Sequence, residues 1–191
     1  DLSRFACHHS GIHASAGIAL ISGKHPLYQA AADAGEAEHA AKSLRWRDGE
    51  GRKRSKDAIA FLGVALPWRQ FGFPHASDEQ ATDHETVSDL CAELIRKRED
   101  DTPHSLIRTL LSIYAGQRKA AEARAAQGDD LNQNGEAQML WGPWIWQGYY
   151  RLMRQGATGQ ALAKQLHDNE RWFRDITWVG IAARWAELLT R

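Results

Sequence analysis

Residues 11–43, GIHASAGIALISGKHPLYQAAADAGEAEHAAKS, decide how the chain is read. They divide into a short apolar strand, a tight turn from Gly23 to Pro26, and an alanine-rich helix that closes on Ala41-Lys42. Alternation puts Ile12, Ala14, Ala16, Ile18 and Leu20 on one face of the strand, and His13, Ser15, Gly17, Ala19 and Ile21 on the other. Glycine in mid-strand is costly unless a second backbone or a ligand must come close, and Gly17 occupies that place. Pro26 suits the first turn of a helix. Leu27, Ala30, Ala31, Ala34, Ala37 and Ala41 then form a thin stripe of small residues, which lets the helix lie close on a sheet.

Outward from this stretch, residues 2–9 read as the last turns of a helix ending before Gly11. Residues 44–56, LRWRDGEGRKRSK, read as an exposed basic loop, and residues 57–66, DAIAFLGVAL, as one apolar strand of the same sheet. Residues 72–81 have the composition of a linker. The spacing of Val87, Leu90, Cys91, Leu94 and Ile95 predicts an amphipathic helix, with Asp83 and Glu85 near its N-terminus and Arg96 to Arg98 near its C-terminus. Thr102-Pro103 predicts a cap and first turn for a second helix, striped by Ile107, Leu110, Leu111 and Tyr114 and running to Ala126. Residues 128–135 break it. A third helix starts near Trp141, with Trp141, Ile145, Gly148, Tyr149 and Leu152 on one face, and Gly156 to Gly159 stops it. Residues 160–167 form a short fourth helix. Residues 171–191 form a last helix that is apolar on two faces, one with Trp178, Ile181, Trp185 and Leu188, the other with Trp172, Ile176, Val179, Ala183 and Ala186. Such a helix is covered from both sides, by its own bundle and by a partner.

With 43% hydrophobic and 25% charged residues and a net charge of zero, the composition is globular and carries no global bias toward nucleic acid or membrane. No apolar run is long enough to span a bilayer and no signal-peptide pattern opens the chain, so the expected location is the cytoplasm. Two cysteines, Cys7 and Cys91, make no disulfide framework. A lone strand and helix make no independent sheet, so the chain reads as a fragment whose missing strands lie upstream.

Three features carry a resemblance: Ser-Ala-Gly-Ile-Ala at residues 15–19, Lys-His-Pro-Leu at residues 24–27, and the helix closing on Ala41-Lys42. Together they resemble the end of the second polymerase-like palm domain in the large subunit of type III CRISPR–Cas effector complexes, and more distantly diguanylate cyclases of the GGDEF class. The basic turn, the strand ending near Trp68 and the terminal IAARWAELLTR at residues 181–191 follow in the same order. The resemblance covers nearly the whole chain and is closest to the III-A (Csm-type) subunit. It implies an α+β fold: the C-terminal part of a ferredoxin-like, cyclase-like palm over residues 1–71, a linker over residues 72–81, and an all-α bundle over residues 82–191.

The resemblance also implies function. Proteins of this family make cyclic oligoadenylates from ATP when target RNA binds, with a divalent metal (Mg or Mn) held by a Gly-Gly-Asp-Asp hairpin, and many carry a DNase domain for single-stranded DNA. That hairpin is expected upstream, so this chain alone is expected to hold no catalytic residue, metal or cofactor. Implied partners are crRNA, target RNA, the small helical Csm subunits and the upstream part of the same protein, with a homodimer left open and no membrane. Lys42 matches the lysine that meets a nucleotide triphosphate, and Ser15 and Gly17 would line the ATP cleft. From the residues alone, Lys42 serves equally as a cation at a helix C-terminus, and Gly17 equally as room for helix packing. Arg45, Arg47, Arg52 and Arg54, with Lys53 and Trp46, have the content of a nucleic-acid or phosphate contact, or of a solvated loop. Cys7, His8, His9 and His13 lack the spacing of a metal site. Gly128-Asp129-Asp130 reads as a turn, and His167-Asp168 lacks the further ligands of a metal nuclease. The competing reading is a non-catalytic helical module that docks other subunits of an RNA-guided complex.

Overall fold

The structure is a computed structural model and describes residues 13–47, 51–73, 86–99, 104–126, 142–168 and 171–190. The expected helix over residues 2–9, the Cys7, His8, His9 group, most of the linker, Asp83, Glu85, the Thr102-Pro103 cap, the break at residues 128–135 and Trp141 lie outside them. The chain is mixed α and β, with seven helices among the described residues. It divides into two units, Asp1–Ser88 and Asp89–Arg191.

In the first unit, β1 (Ala16–Ile18) pairs in parallel with β4 (Ala58–Phe61), and β4 pairs antiparallel with β5 (Val64–Pro67). Helix α1 (Leu27–Ser43) makes the crossover between the parallel strands. Strand β1 is shorter than the expected apolar run. Its ladder ends at the pair Ile18↔Phe61, because the partner chain turns there at Leu62-Gly63. That turn also corrects the expectation of one strand over residues 57–66. Leu62 and Gly63 have φ of 53° and 79°, the double left-handed conformation of a two-residue hairpin.

One core cluster of this unit is built from alanine, beside the larger buried residues Ile59, Phe61, Phe71 and Val87. Ala41, Ala58 and Ala60 are buried together, with Ala37, Leu44 and Ala65 against them. The packed stripe of α1 is therefore narrower than expected: Leu27 is 83% exposed, and Ala31 also faces solvent. At the far end of the hairpin, α2 (Trp68–Phe71) closes on Gly72, whose N–H donates to the Trp68 and Arg69 carbonyls. Phe61 meets Phe71 edge-on at 5.9 Å, and Phe73 stacks on Phe71 at 6.1 Å.

Residues 44–56 are not a plain loop. They contain a second hairpin, β2 (Arg45–Arg47) and β3 (Lys53–Ser55), in the register Arg45↔Ser55, Trp46↔Arg54, Arg47↔Lys53. No apolar alternation marks it, so its pairing is hidden behind its charge.

The helices that follow are α3 (Val87–Glu99), α4 (His104–Ala126), α5 (Pro143–Met153), α6 (Gly156–Asp168) and α7 (Arg171–Leu189). In the second unit α4 packs against both α5 and α7, and α6 joins α5 to α7. Leu106, Leu110, Leu152, Ile176, Val179 and Ile181 are fully buried there. The expected stop over Gly156 to Gly159 is instead the first turn of α6, which Gly156 opens with φ 73°. Much of both apolar faces of α7 is covered within the chain: Ile176, Trp178, Val179, Ile181, Ala182, Ala183 and Ala186 are buried, Trp185 and Leu188 are half-buried, and the Trp172 side chain lies outside the described set. Trp144, rather than Ile145 or Tyr149, is the most buried aromatic of α5. Tyr114 on α4 lies directly over Gly180 of α7, and burial raises its phenol pKa while nearby Arg118 pulls it back.

Cys91 on α3 is 3% exposed, and burial pushes its thiol from the ordinary 9.0 up to about 11. The folded chain thus keeps a proton that the unfolded chain releases. The associated stability is complete below pH 9.0 and is lost as pH rises toward about 11. In a Cys7→Ser background, urea midpoints of the Cys91 chain and of Cys91→Ala should draw together between pH 8 and pH 11. A pH-independent gap between them would mean that another group titrates.

Candidate functional site

The candidate site is the meeting of β1 with α1. A methyl group on Gly17 would overlap the backbone of Ala34, Ala37 and Glu38. Helix and strand therefore touch backbone to backbone, and only glycine fits. Ser15 shares this face by alternation. Because α1 returns against the direction of β1, Ser15 is carried toward the turn that holds Ala41 and Lys42. Its hydroxyl is buried and has no hydrogen-bond partner among the described residues. Buried polar groups are nearly always satisfied by protein, water or ligand, so the Ser15 hydroxyl has capacity for one further partner.

Lys42 lies in the last turn of α1, and its ammonium is 2.7 Å from the Glu38 carboxylate, both side chains being about half exposed. Such an i,i+4 surface pair is worth only about 0.2–0.5 kcal/mol, little enough for a stronger anion to displace. Arg45 gathers the carbonyls that end the helix, donating to Ser43 at 3.0 Å, Leu44 at 3.3 Å and Lys42 at 3.5 Å. Arg47 donates to the Gly51 carbonyl at 3.1 Å. Arg52 and Arg54 also interact within the chain. The Trp46 indole donates to the Lys56 carbonyl at 3.1 Å, and the Arg69 guanidinium lies 5.9 Å from its ring centre. The ring that was a candidate for stacking a base thus already carries a cation.

The structure assembles two groups that the sequence reading did not name. At the start of the parallel strands, His13 Nδ1 lies 3.7 Å from the buried Asp57 carboxylate. Trp68 braces this corner by donating from Nε1 to the Ala14 carbonyl at 2.8 Å. A His–Asp pair of this kind orients an imidazole. In the second unit, a groove of about 620 Å3 opens between α4 and α5, with Arg108, Arg151, Arg154, Trp146 and Tyr150 in its lining. The sequence signal for it was that Trp141, Trp144 and Trp146 cannot all face one core, which leaves one of them for a partner, and among the described residues Trp146 is the exposed one.

Among the described residues, no group of three or more His, Cys, Asp or Glu is placed to hold a metal ion. His167 ends α6 with its ring 5.4 Å from that of Tyr149. No described helix is long and apolar enough to cross a membrane. No family model, curated protein or solved structure matches the chain.

Two glycine substitutions separate the close contact from ordinary helix propensity. Gly17→Ala should lower unfolding free energy by about 1–3 kcal/mol, because the helix must lift from the strand. Gly35→Ala, on the same helix but with open space around it, should raise stability by about 0.5–1 kcal/mol. Denaturant titrations of the two variants should move in opposite directions.

Proposed function

We propose that this chain is the C-terminal part of the large subunit of a type III-A CRISPR effector complex. Its first unit is then the end of a ferredoxin-like palm and forms one wall of an ATP site. The observation that carries this reading is the orphaned Ser15 hydroxyl, on the strand face that leads to Lys42 at the end of α1. A parallel β1–α1–β4 unit followed by antiparallel β5 supports the palm assignment. On this reading ATP and a divalent metal belong to the whole subunit, and the metal-binding carboxylates stand on strands other than β1, β4 and β5. The metal supplies charge neutralisation for phosphoryl transfer, a reaction that asks the protein mainly for positioning. Within this chain, Lys42 contacts a triphosphate, Ser15 and Gly17 line the cleft, and the hairpin with Arg45, Arg47, Arg52 and Arg54 contacts phosphate or RNA. The helical unit docks the small subunits that lie along the guide and target RNA.

A second reading is a non-catalytic docking module. One observation favours it: Gly17 is explained by the backbone of α1, Lys42 by Glu38, and Arg45 by the helix carbonyls. Each candidate ligand contact already has an intramolecular use.

The readings separate in the assembled complex, supplied with target RNA, ATP and magnesium. Lys42→Glu should reduce cyclic oligoadenylate synthesis about tenfold or more, as expected for loss of a charged phosphate contact. Charge reversal at Lys119, exposed on α4, should leave it within about twofold, since exposed charges are largely screened. Full synthesis by Lys42→Glu would leave Lys42 as a helix cap and favour the docking module.

A further inference from the structure

The groove between α4 and α5 has the chemistry of a polyanion site with a stacking surface. Arg108 comes from α4, and Arg151 and Arg154 come from α5. Among the described residues that line the groove none is acidic. Three arginines sharing one groove favour an anionic ligand there.

Two of the guanidinium groups are held in place. Arg151 donates from Nη1 to the Ser112 hydroxyl at 2.9 Å, bridging the two helices. Arg154 donates to the Tyr150 hydroxyl at 3.1 Å, and its guanidinium lies 5.5 Å from the centre of that ring. The floor is fixed by Gln155, which accepts from the Ser105 hydroxyl at 2.6 Å and donates to Thr109 at 3.2 Å. Ordering these side chains beforehand lowers the entropic cost of binding.

Two large rings stand at the rim. Trp146 is 65% exposed and Tyr150 60% exposed, although both are on a helix whose other face carries the buried Trp144 and Leu152. They are one helical turn apart, about 6 Å along the axis. Aromatic faces beside arginines are what unpaired bases require: the rings stack bases of any identity and the cations meet the phosphates.

We propose that this groove binds single-stranded polynucleotide, with bases stacked on Trp146 and Tyr150 and phosphates on Arg108, Arg151 and Arg154. The inference stands independently of the ATP-site reading, because it uses residues of the second unit alone. Duplex is disfavoured, since its bases are already stacked on one another and present no free face. Ser105, Thr109, Ser112 and Gln155 already share hydrogen bonds with one another or with Arg151, and stacking and phosphate contacts do not distinguish ribose from deoxyribose. The groove should therefore accept RNA and DNA alike.

The test is fluorescence anisotropy of the full chain with labelled rU15, dT15 and a 15-base-pair duplex. The two single strands should bind within about threefold of each other and at least about tenfold more tightly than duplex. Their salt dependence should have a slope of about −2, from roughly 0.7 per phosphate met by an arginine. Trp146→Ala should weaken binding by roughly 5- to 100-fold. Each of Arg108→Ala and Arg154→Ala should weaken it and reduce the slope by about 0.7. All three side chains are exposed, so circular dichroism and melting temperature should stay unchanged. Photo-crosslinking with 5-bromouracil in place of thymine should mark the peptide containing Trp146 and Tyr150. Unaltered binding by these variants would overturn the proposal and place any affinity elsewhere, for instance on the basic hairpin of the first unit. Tighter binding of duplex, or of a phosphopeptide in competition with dT15, would overturn it as well.

Discussion

The first unit depends on one contact, the backbone of α1 lying on the backbone of β1 at Gly17. A strand and a helix usually keep their distance because side chains stand between them. Here the intervening residues are Ala34, Ala37, Ala41, Ala58 and Ala60, so the elements come close enough for main-chain atoms to touch. Each alanine buries only about one methyl, worth roughly 0.8 kcal/mol. Such a core gains its cohesion from many short dispersion contacts rather than from large buried areas. It is correspondingly intolerant of added volume, and Gly17 is the point at which that intolerance is greatest. The larger apolar groups of this unit sit instead at the hairpin end, in the Phe61, Phe71, Phe73 set.

The second unit is packed in the opposite way. Helices α4 and α6, which carry buried leucine and isoleucine, pack against α7, whose residues from Ile176 to Ala183 are mostly buried. Its close approaches are local, where Tyr114 lies over Gly180 and Ile113 over Gly148, and its helices follow from the spacing of large residues. The difference bears on function. In the first unit the small side chains are taken up by the close contact of α1 with β1, whereas the large-residue core of the second leaves aromatic groups such as Trp146 and Tyr150 on its outer face.

What the sequence revealed follows the same division. The 3.6-residue period exposed α3, α4, α5 and α7, and the Ala-rich run exposed α1. Both hairpins were hidden. The β4–β5 turn is carried by Leu62-Gly63, and Leu62 looks like one more core residue in an unbroken apolar run. The β2–β3 pair alternates among charged residues, so no apolar face announces it. The candidate site was half legible: Ser15, Gly17 and Lys42 were named from pattern, while the Arg45 cap on the helix carbonyls depends on a side-chain path that spacing does not fix. The α4–α5 groove was not legible. Arg151 and Ser112, hydrogen-bonded in the fold, are 39 positions apart, and each taken alone belongs to an ordinary polar face.

The end of α1 poses an electrostatic question for any phosphate role of Lys42. A helix C-terminus carries roughly half a negative charge on its unsatisfied carbonyls, which opposes an anion placed beside it. A lysine there is normally read as answering that charge. In this chain Arg45 already answers it, since its guanidinium spans the carbonyls of Lys42, Ser43 and Leu44. The Lys42 ammonium is instead turned to Glu38, a carboxylate one helical turn back. The two cations thus have different partners, Arg45 the carbonyls of the helix end and Lys42 the Glu38 carboxylate in a weak surface pair, the arrangement that the proposed phosphate contact would draw on. A helix C-terminus prepared in this way can face a phosphate, although an unmodified one would repel it.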